Sequence, residues 1–163
     1  MPNLKKVLAS HLHNAERIAV IGVGSELRND DVAGILIAKK IGRCRKKLRR
    51  SRLKIFIGGT APENLTGEVI KFNPTHILII DSADLNTKPG TAVILDPVRV
   101  GGVSFSTHMM PLKMMVDYLE QSLKCRIIII GIQPQNIKFG GKISRRVESA
   151  INSVSSAICE SIA

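Results

Sequence analysis

Residues 17–40 read Arg17-Ile18-Ala19-Val20-Ile21-Gly22-Val23-Gly24-Ser25-Glu26-Leu27-Arg28-Asn29-Asp30-Asp31-Val32-Ala33-Gly34-Ile35-Leu36-Ile37-Ala38-Lys39-Lys40. The first seven residues form a short, β-branched apolar run that reaches glycine, the pattern of a strand buried on both faces. A polar turn from Ser25 to Asp30 follows. From Asp31 to Lys40 the chain is apolar nearly all round and is opened by carboxylates, which suits the N-terminus of a core-facing helix. A fully buried strand, a tight turn and a buried helix make the first unit of an α/β sheet.

The same alternation continues. Leu53 to Ile57 predicts a second strand, closed by Gly58-Gly59-Thr60-Ala61-Pro62-Glu63-Asn64 and followed by a short helix reaching Lys71. His76 to Asp81 predicts a third strand, Thr91 to Leu95 a fourth and Arg126 to Ile130 a fifth. Between the last two, Leu112, Met115 or Val116, Leu119 and Leu123 recur at helical spacing behind Pro111, which suits a first helical turn. The Met residues around it, Met109, Met110, Met114 and Met115, read more readily as core filling than as an adaptable contact surface. Val147, Ile151, Val154, Ile158 and Ile162 then mark an amphipathic terminal helix with Ser144 as its cap. The expectation is one domain over residues 1–163, a three-layer α/β/α sandwich around a mostly parallel, twisted five-stranded sheet.

Composition narrows the function classes. At 44% hydrophobic and 23% charged residues, the chain has the profile of an ordinary folded protein. No apolar run approaches the ~20 residues of a membrane helix, and the one near the N-terminus is too short for a signal peptide, so a cytoplasmic protein without a membrane partner is expected. Cys44, Cys125 and Cys159 are odd in number and widely spaced, which argues for reduced, non-catalytic thiols. The net charge of +11 is concentrated between Lys39 and Lys54, where no acidic residue occurs. Such a run invites a nucleic-acid reading. A chain with one Tyr, four Phe and no Trp has little with which to stack bases, so a solvated or partner-facing basic patch is favoured.

In an open α/β sheet, ligands gather outside the carboxyl ends of the strands. Three polar residues fall there: Asp31 after strand one, Asp81 at the end of strand three, and His108 ahead of the Met-rich helix. Two carboxylates and an imidazole form an oxygen/nitrogen set suited to a borderline divalent ion. Each residue also has a bland reading, Asp31 at a helix dipole, Asp81 capping a turn with Ser82, and His108 as a loop histidine, and spacing alone leaves the two readings evenly balanced. Other motifs fail. Gly22-Val23-Gly24-Ser25-Glu26-Leu27 begins like a dinucleotide fingerprint, but Leu27 stands at the third glycine and Glu26 would repel a pyrophosphate. No Gly-x-Ser-x-Gly elbow, phosphate-binding Lys loop or His-Glu-x-x-His is present.

Five blocks in order carry a family resemblance: Gly22-Val23-Gly24-Ser25 through Asn29-Asp30-Asp31-Val32-Ala33-Gly34, then Gly58 to Asn64, Leu78 to Asp84, Thr107 to Leu112, and Gly131-Ile132-Gln133-Pro134. Together they resemble the nickel–iron hydrogenase maturation endopeptidases, of the type that processes the hydrogenase 3 large subunit of formate hydrogenlyase. The resemblance implies cytoplasmic removal of a C-terminal extension from a hydrogenase large-subunit precursor after nickel insertion. It also implies that Asp31, Asp81 and His108 contact the metal, with the nickel supplied by the substrate rather than permanently bound, and that Gly58, Gly59 and Thr60 let substrate backbone approach. Asp30 and Asp84 are candidates for supporting partners of the site or for bland surface acids, Asp84 leaning to the latter. Val32 replaces a glycine that usually follows the acidic pair; if backbone angles require that glycine, Asp31 is aimed differently here. The alternative is a non-enzymatic nickel-handling or nucleic-acid-binding module that uses the basic run 39–54.

Overall fold

A computed structural model describes residues 2–44, 52–97, 104–105 and 112–162. His108, Met109, Met110, Pro111 and residues 45–51 of the basic run lie outside them. The chain runs α1 (Pro2–Leu12), β1 (Ile18–Val23), α2 (Ala33–Cys44), β2 (Leu53–Gly59), α3 (Thr66–Phe72), β3 (His76–Asp84), β4 (Ala92–Leu95), β5 (Ser104–Phe105), α4 (Leu112–Ser122), β6 (Arg126–Ile132) and α5 (Arg145–Ile162). The main sheet has the order β2-β1-β3-β6-β4. Its first four strands are parallel, and β4 pairs antiparallel with β6. The two residues of β5 pair antiparallel with Ala83 and Asp84 at the end of β3.

Side chains alternate across a strand, so the continuous apolar runs of β1, β3 and β6 feed two cores. Val20, Leu78, Ile80, Ile128 and Ile130 pack with α1, α2 and α5 on one face. Ala19, Ile21, Ile77, Ile79, Ile127 and Ile129 pack with α3 and α4 on the other. Each fully buried Ile contributes roughly 1.5–3 kcal/mol, which is why, between the first residues His76 and Arg126 and the carboxyl ends, neither face of these strands carries a polar residue. The five expected strands and the three layers are all present.

Two details differ from the sequence reading. The first eleven helical residues, α1, were not anticipated, although Leu4, Leu8 and Leu12 recur every four residues and Leu8 and Leu12 are buried. Ser144 precedes α5 as expected, and its carbonyl accepts from Glu148 N at 2.9 Å, but its hydroxyl is committed elsewhere, to Asp30.

The sheet direction reverses at β1. From β1 the chain crosses through α2 on one face to reach β2, and from β2 it returns through α3 on the opposite face to β3, on the other side of β1. The connections therefore diverge above the carboxyl ends of β1 and β3, leaving a crevice there. Gly34, in the first turn of α2, lets the helix settle against that end: a Cβ at this position would stand 2.1 Å from the Ile80 carbonyl oxygen and 2.4 Å from that of Val23. Gly34→Ala must therefore lift α2 from two strands at once, and we expect it to cost more than the ~1–3 kcal/mol of ordinary overpacking, read as a lowered urea midpoint.

At the opposite end, Thr75 Oγ1 accepts from Glu16 N and Arg17 N, both at 3.1 Å, and lies 3.0 Å from His76 Nδ1. Burial, and secondarily the Arg126 guanidinium, lower the pKa of His76 from its usual 6.5. The unfolded chain then binds the proton first as pH falls, so stability should drop as pH decreases below about 6.5. Urea midpoints between pH 7.5 and 5 should show that fall, and His76→Asn should make it shallower; an unchanged slope would refute the assignment.

Candidate active site

The turn after β1 is built for close approach. Gly24 has φ +135, and a Cβ there would lie 1.8 Å from the carbonyl oxygen of Asp31, so the chain can fold back over the strand end only with glycine at this position. Asn29, at φ 42, opens a 3-10 turn from Asn29 to Val32 that places two adjacent carboxylates inside the protein. Asp31 is 1% exposed and its Oδ2 accepts from Ser25 N at 3.1 Å. Asp81, fully buried, lies at the end of β3 opposite Gly131 of β6.

These segments touch. The hydroxyl of Ser82, one residue after Asp81, donates to the carbonyl of Asp30, one residue before Asp31, at 3.0 Å. On the other flank, Gly24 N donates to the Gly59 carbonyl at 2.9 Å, joining the turn after β1 to the glycine loop after β2. Within that loop the residues differ in role. Gly58 is required by packing, since a Cβ would sit 2.7 Å from the Pro62 side chain, whereas the Cβ of a residue at 59 would meet open space. Gly59 (φ +57) and the exposed Thr60 thus present accessible backbone beside the buried acids.

Asp30 has the most extensive partners. Its Oδ2 accepts from Gln135 N at 2.8 Å, Asn136 N at 2.9 Å and Ser144 Oγ at 3.0 Å, and its Oδ1 accepts from Ser144 N at 2.7 Å. Its own amide donates to the Asn136 carbonyl at 3.0 Å. A carboxylate with no exposed surface persists only when its lone pairs are met in this way. Asp30 therefore clamps both ends of the segment between β6 and α5 onto the turn that carries Asp31. Asp84 is exposed and accepts from Asn86 N at 3.2 Å, an ordinary turn contact. Gln133, 9% exposed, accepts from Leu85 N at 2.7 Å and so ties the loop after β3 to the end of β6.

Val32 has a negative φ, so the backbone there does not need glycine, and the turn holds its shape with valine. The side chain is 8% exposed and forms part of a groove wall instead. His108 lies outside the described residues, though β5, three residues before it in the chain, pairs with Ala83 and Asp84 just beyond Asp81. Among the described residues no group of three His, Cys, Asp or Glu side chains is placed to hold a metal; Asp31 and Asp81 are two of the three predicted ligands. Two of the three thiols are held protonated: burial, then the Glu120 charge, raises Cys125 to about 11, and burial, then a hydrogen bond with Cys44, raises Cys159 to about 12.

The model of a family described as hydrogenase maturation protease, HycI, matches residues 35–161. The chain belongs to that family. A relative from Methanocaldococcus jannaschii, provisionally named a hydrogenase maturation protease, is 36% identical over 140 residues, 83% of each chain. The hydrogenase 3 maturation protease of Escherichia coli K12 is 32% identical over 133 residues, 81% of this chain and 82% of that one. The crystal structure of the nickel–iron hydrogenase maturation protease HycI from Thermococcus kodakarensis superposes with a TM-score of 0.86 at 25% identity, covering 96% of this chain and 98% of that one. As a HycI-family endopeptidase, the chain is a peptide-bond hydrolase, and a purely non-enzymatic module is not favoured.

The clamp gives a direct expectation. Asp30→Asn replaces one acceptor by an NH2 group facing donors, stranding at least one N–H at about 1–3 kcal/mol each. The variant should unfold at lower urea, and amide exchange at Gln135, Asn136 and Ser144 should accelerate ahead of exchange in the central strands.

Proposed function

We propose that this endopeptidase removes a C-terminal extension from a hydrogenase large-subunit precursor in the cytoplasm, and that it selects precursor that already carries nickel. On this reading Asp31, Asp81 and His108 complete the coordination of the substrate's nickel, and Gly59 and Thr60 receive the substrate backbone beside it. The observation that carries the proposal is the pair of buried carboxylates, Asp31 and Asp81, on adjoining segments at the sheet's switch point. Carboxylate oxygen and imidazole nitrogen are donors that suit a borderline divalent ion. Two carboxylates already buried in place cost little reorganisation when the ion arrives with its own ligands. The metal is thus read as cargo, and precursor without it lacks the anchor that positions the scissile bond.

Incubating the purified protein with nickel-loaded and nickel-free precursor, and measuring the mass of the large subunit, tests this directly. Loaded precursor should lose its C-terminal peptide and nickel-free precursor should not. Asp31→Ala, Asp81→Ala and His108→Ala should each slow processing by more than about 100-fold, since losing a group that merely orients a metal ligand already costs ~10–100-fold. Charge reversal at Lys46, Lys47, Arg49 and Arg50 should leave cleavage intact; the opposite pattern, with His108→Ala active and charge reversal inactive, would remove the metal-site reading.

A further inference from the structure

The described residues carry six large exposed hydrophobic side chains, and three of them, Leu27 (69% exposed), Ile137 (42%) and Phe139 (76%), gather at one place. Apolar side chains scattered singly over a surface need no explanation, whereas a cluster marks a contact surface. The cluster is held in shape by its own polar bonds. Gly140 N donates to the Leu27 carbonyl at 3.0 Å, and Arg28 Nε donates to the Ile137 carbonyl at 3.1 Å. The Arg28 guanidinium lies 5.3 Å from the centre of the Phe139 ring, a cation–π contact that joins the two segments. Between the two segments runs a groove of about 500 Å³, walled by Leu27, Val32, Leu36, Phe139 and Ile143. That volume is within the ~300–1,000 Å³ range of ligand clefts and holds a large side chain with its adjoining backbone.

Two further observations say what fits there. The groove adjoins the buried acids along the chain: its wall residue Val32 follows Asp31 directly, and Asp30 pins both ends of the Gln135–Ser144 segment to the same turn. Its rim is basic. Lys138 and Lys142 flank Phe139, Gly140 and Gly141, are exposed, and make no ion pair among the described residues, while the rim acid Glu26 is neutralised by Lys39 at 2.6 Å. An apolar trough with a cationic edge, joined to a cleavage site, is complementary to an extended peptide that offers one large apolar side chain next to acidic residues.

We propose that this groove is the specificity subsite of the enzyme, seating a large apolar side chain from an acidic stretch of the precursor next to the bond to be cut. The proposal rests on the protease reading above and adds the chemistry of the segment recognised. The groove's wall includes neither Asp31 nor Asp81, the acids proposed above as metal contacts, so on this reading it contributes to substrate capture and leaves the chemical step alone.

The test is steady-state processing of nickel-loaded large-subunit precursor by wild type, Leu27→Ser, Phe139→Ala and Lys138→Glu/Lys142→Glu, with Asp81→Ala alongside. The first two replace exposed side chains and should unfold at the wild-type urea concentration. We expect KM to rise about tenfold, equivalent to ~1.4 kcal/mol, in each groove variant with kcat within twofold of wild type, and the charge-reversed variant to lose the salt dependence of KM. Asp81→Ala should instead lose kcat at saturating precursor. Unchanged KM in Leu27→Ser and Phe139→Ala, with wild type active, overturns the subsite while leaving the protease reading standing. Self-association of wild type that Phe139→Ala abolishes without altering KM overturns it in favour of a second copy as the occupant. Unchanged salt dependence in the charge-reversed variant overturns the acidic character of the segment. Inactive wild type refutes the protease reading itself.

Discussion

The carboxylate of Asp30 is the contact on which the working edge of this protein depends. Four hydrogen bonds reach it from Gln135, Asn136 and Ser144, and its carbonyl takes a fifth from Ser82. Three separate parts of the chain are thereby tied to one residue: the turn after β1, the end of β3, and the segment that joins β6 to α5. Bonds to a charged acceptor are worth roughly 1.5–3 kcal/mol each, more than the loops they join could supply by packing, since those loops bury little apolar surface. The rigidity of the edge is electrostatic, whereas the rigidity of the sheet beneath it is hydrophobic.

That division explains the arrangement of the polar residues. Through the middle of β1, β3 and β6 both faces are occupied by Ile, Val, Leu and Ala, and a carboxylate in those apolar runs would be stranded without donors. At the strand ends the backbone itself supplies donors, from Ser25, Gln135, Asn136 and Ser144. Asp30 and Asp31 can be buried there and nowhere lower. Gly24 and Gly34 make the arrangement possible by letting the 3-10 turn and the first turn of α2 press directly on backbone carbonyls. The site is a consequence of where the fold reverses direction and of two positions without side chains.

Most of the sheet was legible in the sequence because buried parallel strands write themselves as unbroken β-branched runs: Ile18 to Val23, His76 to Asp81 and Arg126 to Ile130 leave no competing interpretation. The two-residue strand Ser104–Phe105 was not legible, since a pairing that short depends on the position of β3 and has no periodicity of its own. Helix α1 was overlooked for a different reason: its apolar stripe of Leu4, Leu8 and Leu12 is one residue wide and is interrupted by Lys5, Lys6, Ser10 and His11, so its helicity comes from docking on α5 and the sheet as much as from propensity. In the site, the grouping of Asp31 with Asp81 could be anticipated from strand ends alone. The task of Asp30 could not, because its partners lie more than a hundred residues away and are mostly backbone amides, which every sequence possesses. Val32 is the converse case. The missing glycine mattered only if position 32 required glycine's backbone angles; its φ is one that any residue adopts, and the valine side chain falls on the groove wall.

A groove and a carboxylate pair held by one clamp also bear on how such an enzyme could discriminate among substrates. Seating one large apolar side chain supplies on the order of 1.5–3 kcal/mol, which separates one peptide from another by at most about a hundredfold and says nothing of whether metal is present. Two buried carboxylates present the opposite balance. Without a cation they offer an incoming peptide only hydrogen-bond acceptors, and with one they gain a contact that no apolar surface can mimic. On the proposed reading, the two halves answer different questions, which chain is present and whether it is loaded. Because Asp30 fixes both to one turn, their spacing is set within the fold, and a substrate must satisfy both within a single docked geometry. Specificity of this kind comes from fixed distance between two modest contacts, and that distance is what four hydrogen bonds to a buried carboxylate maintain.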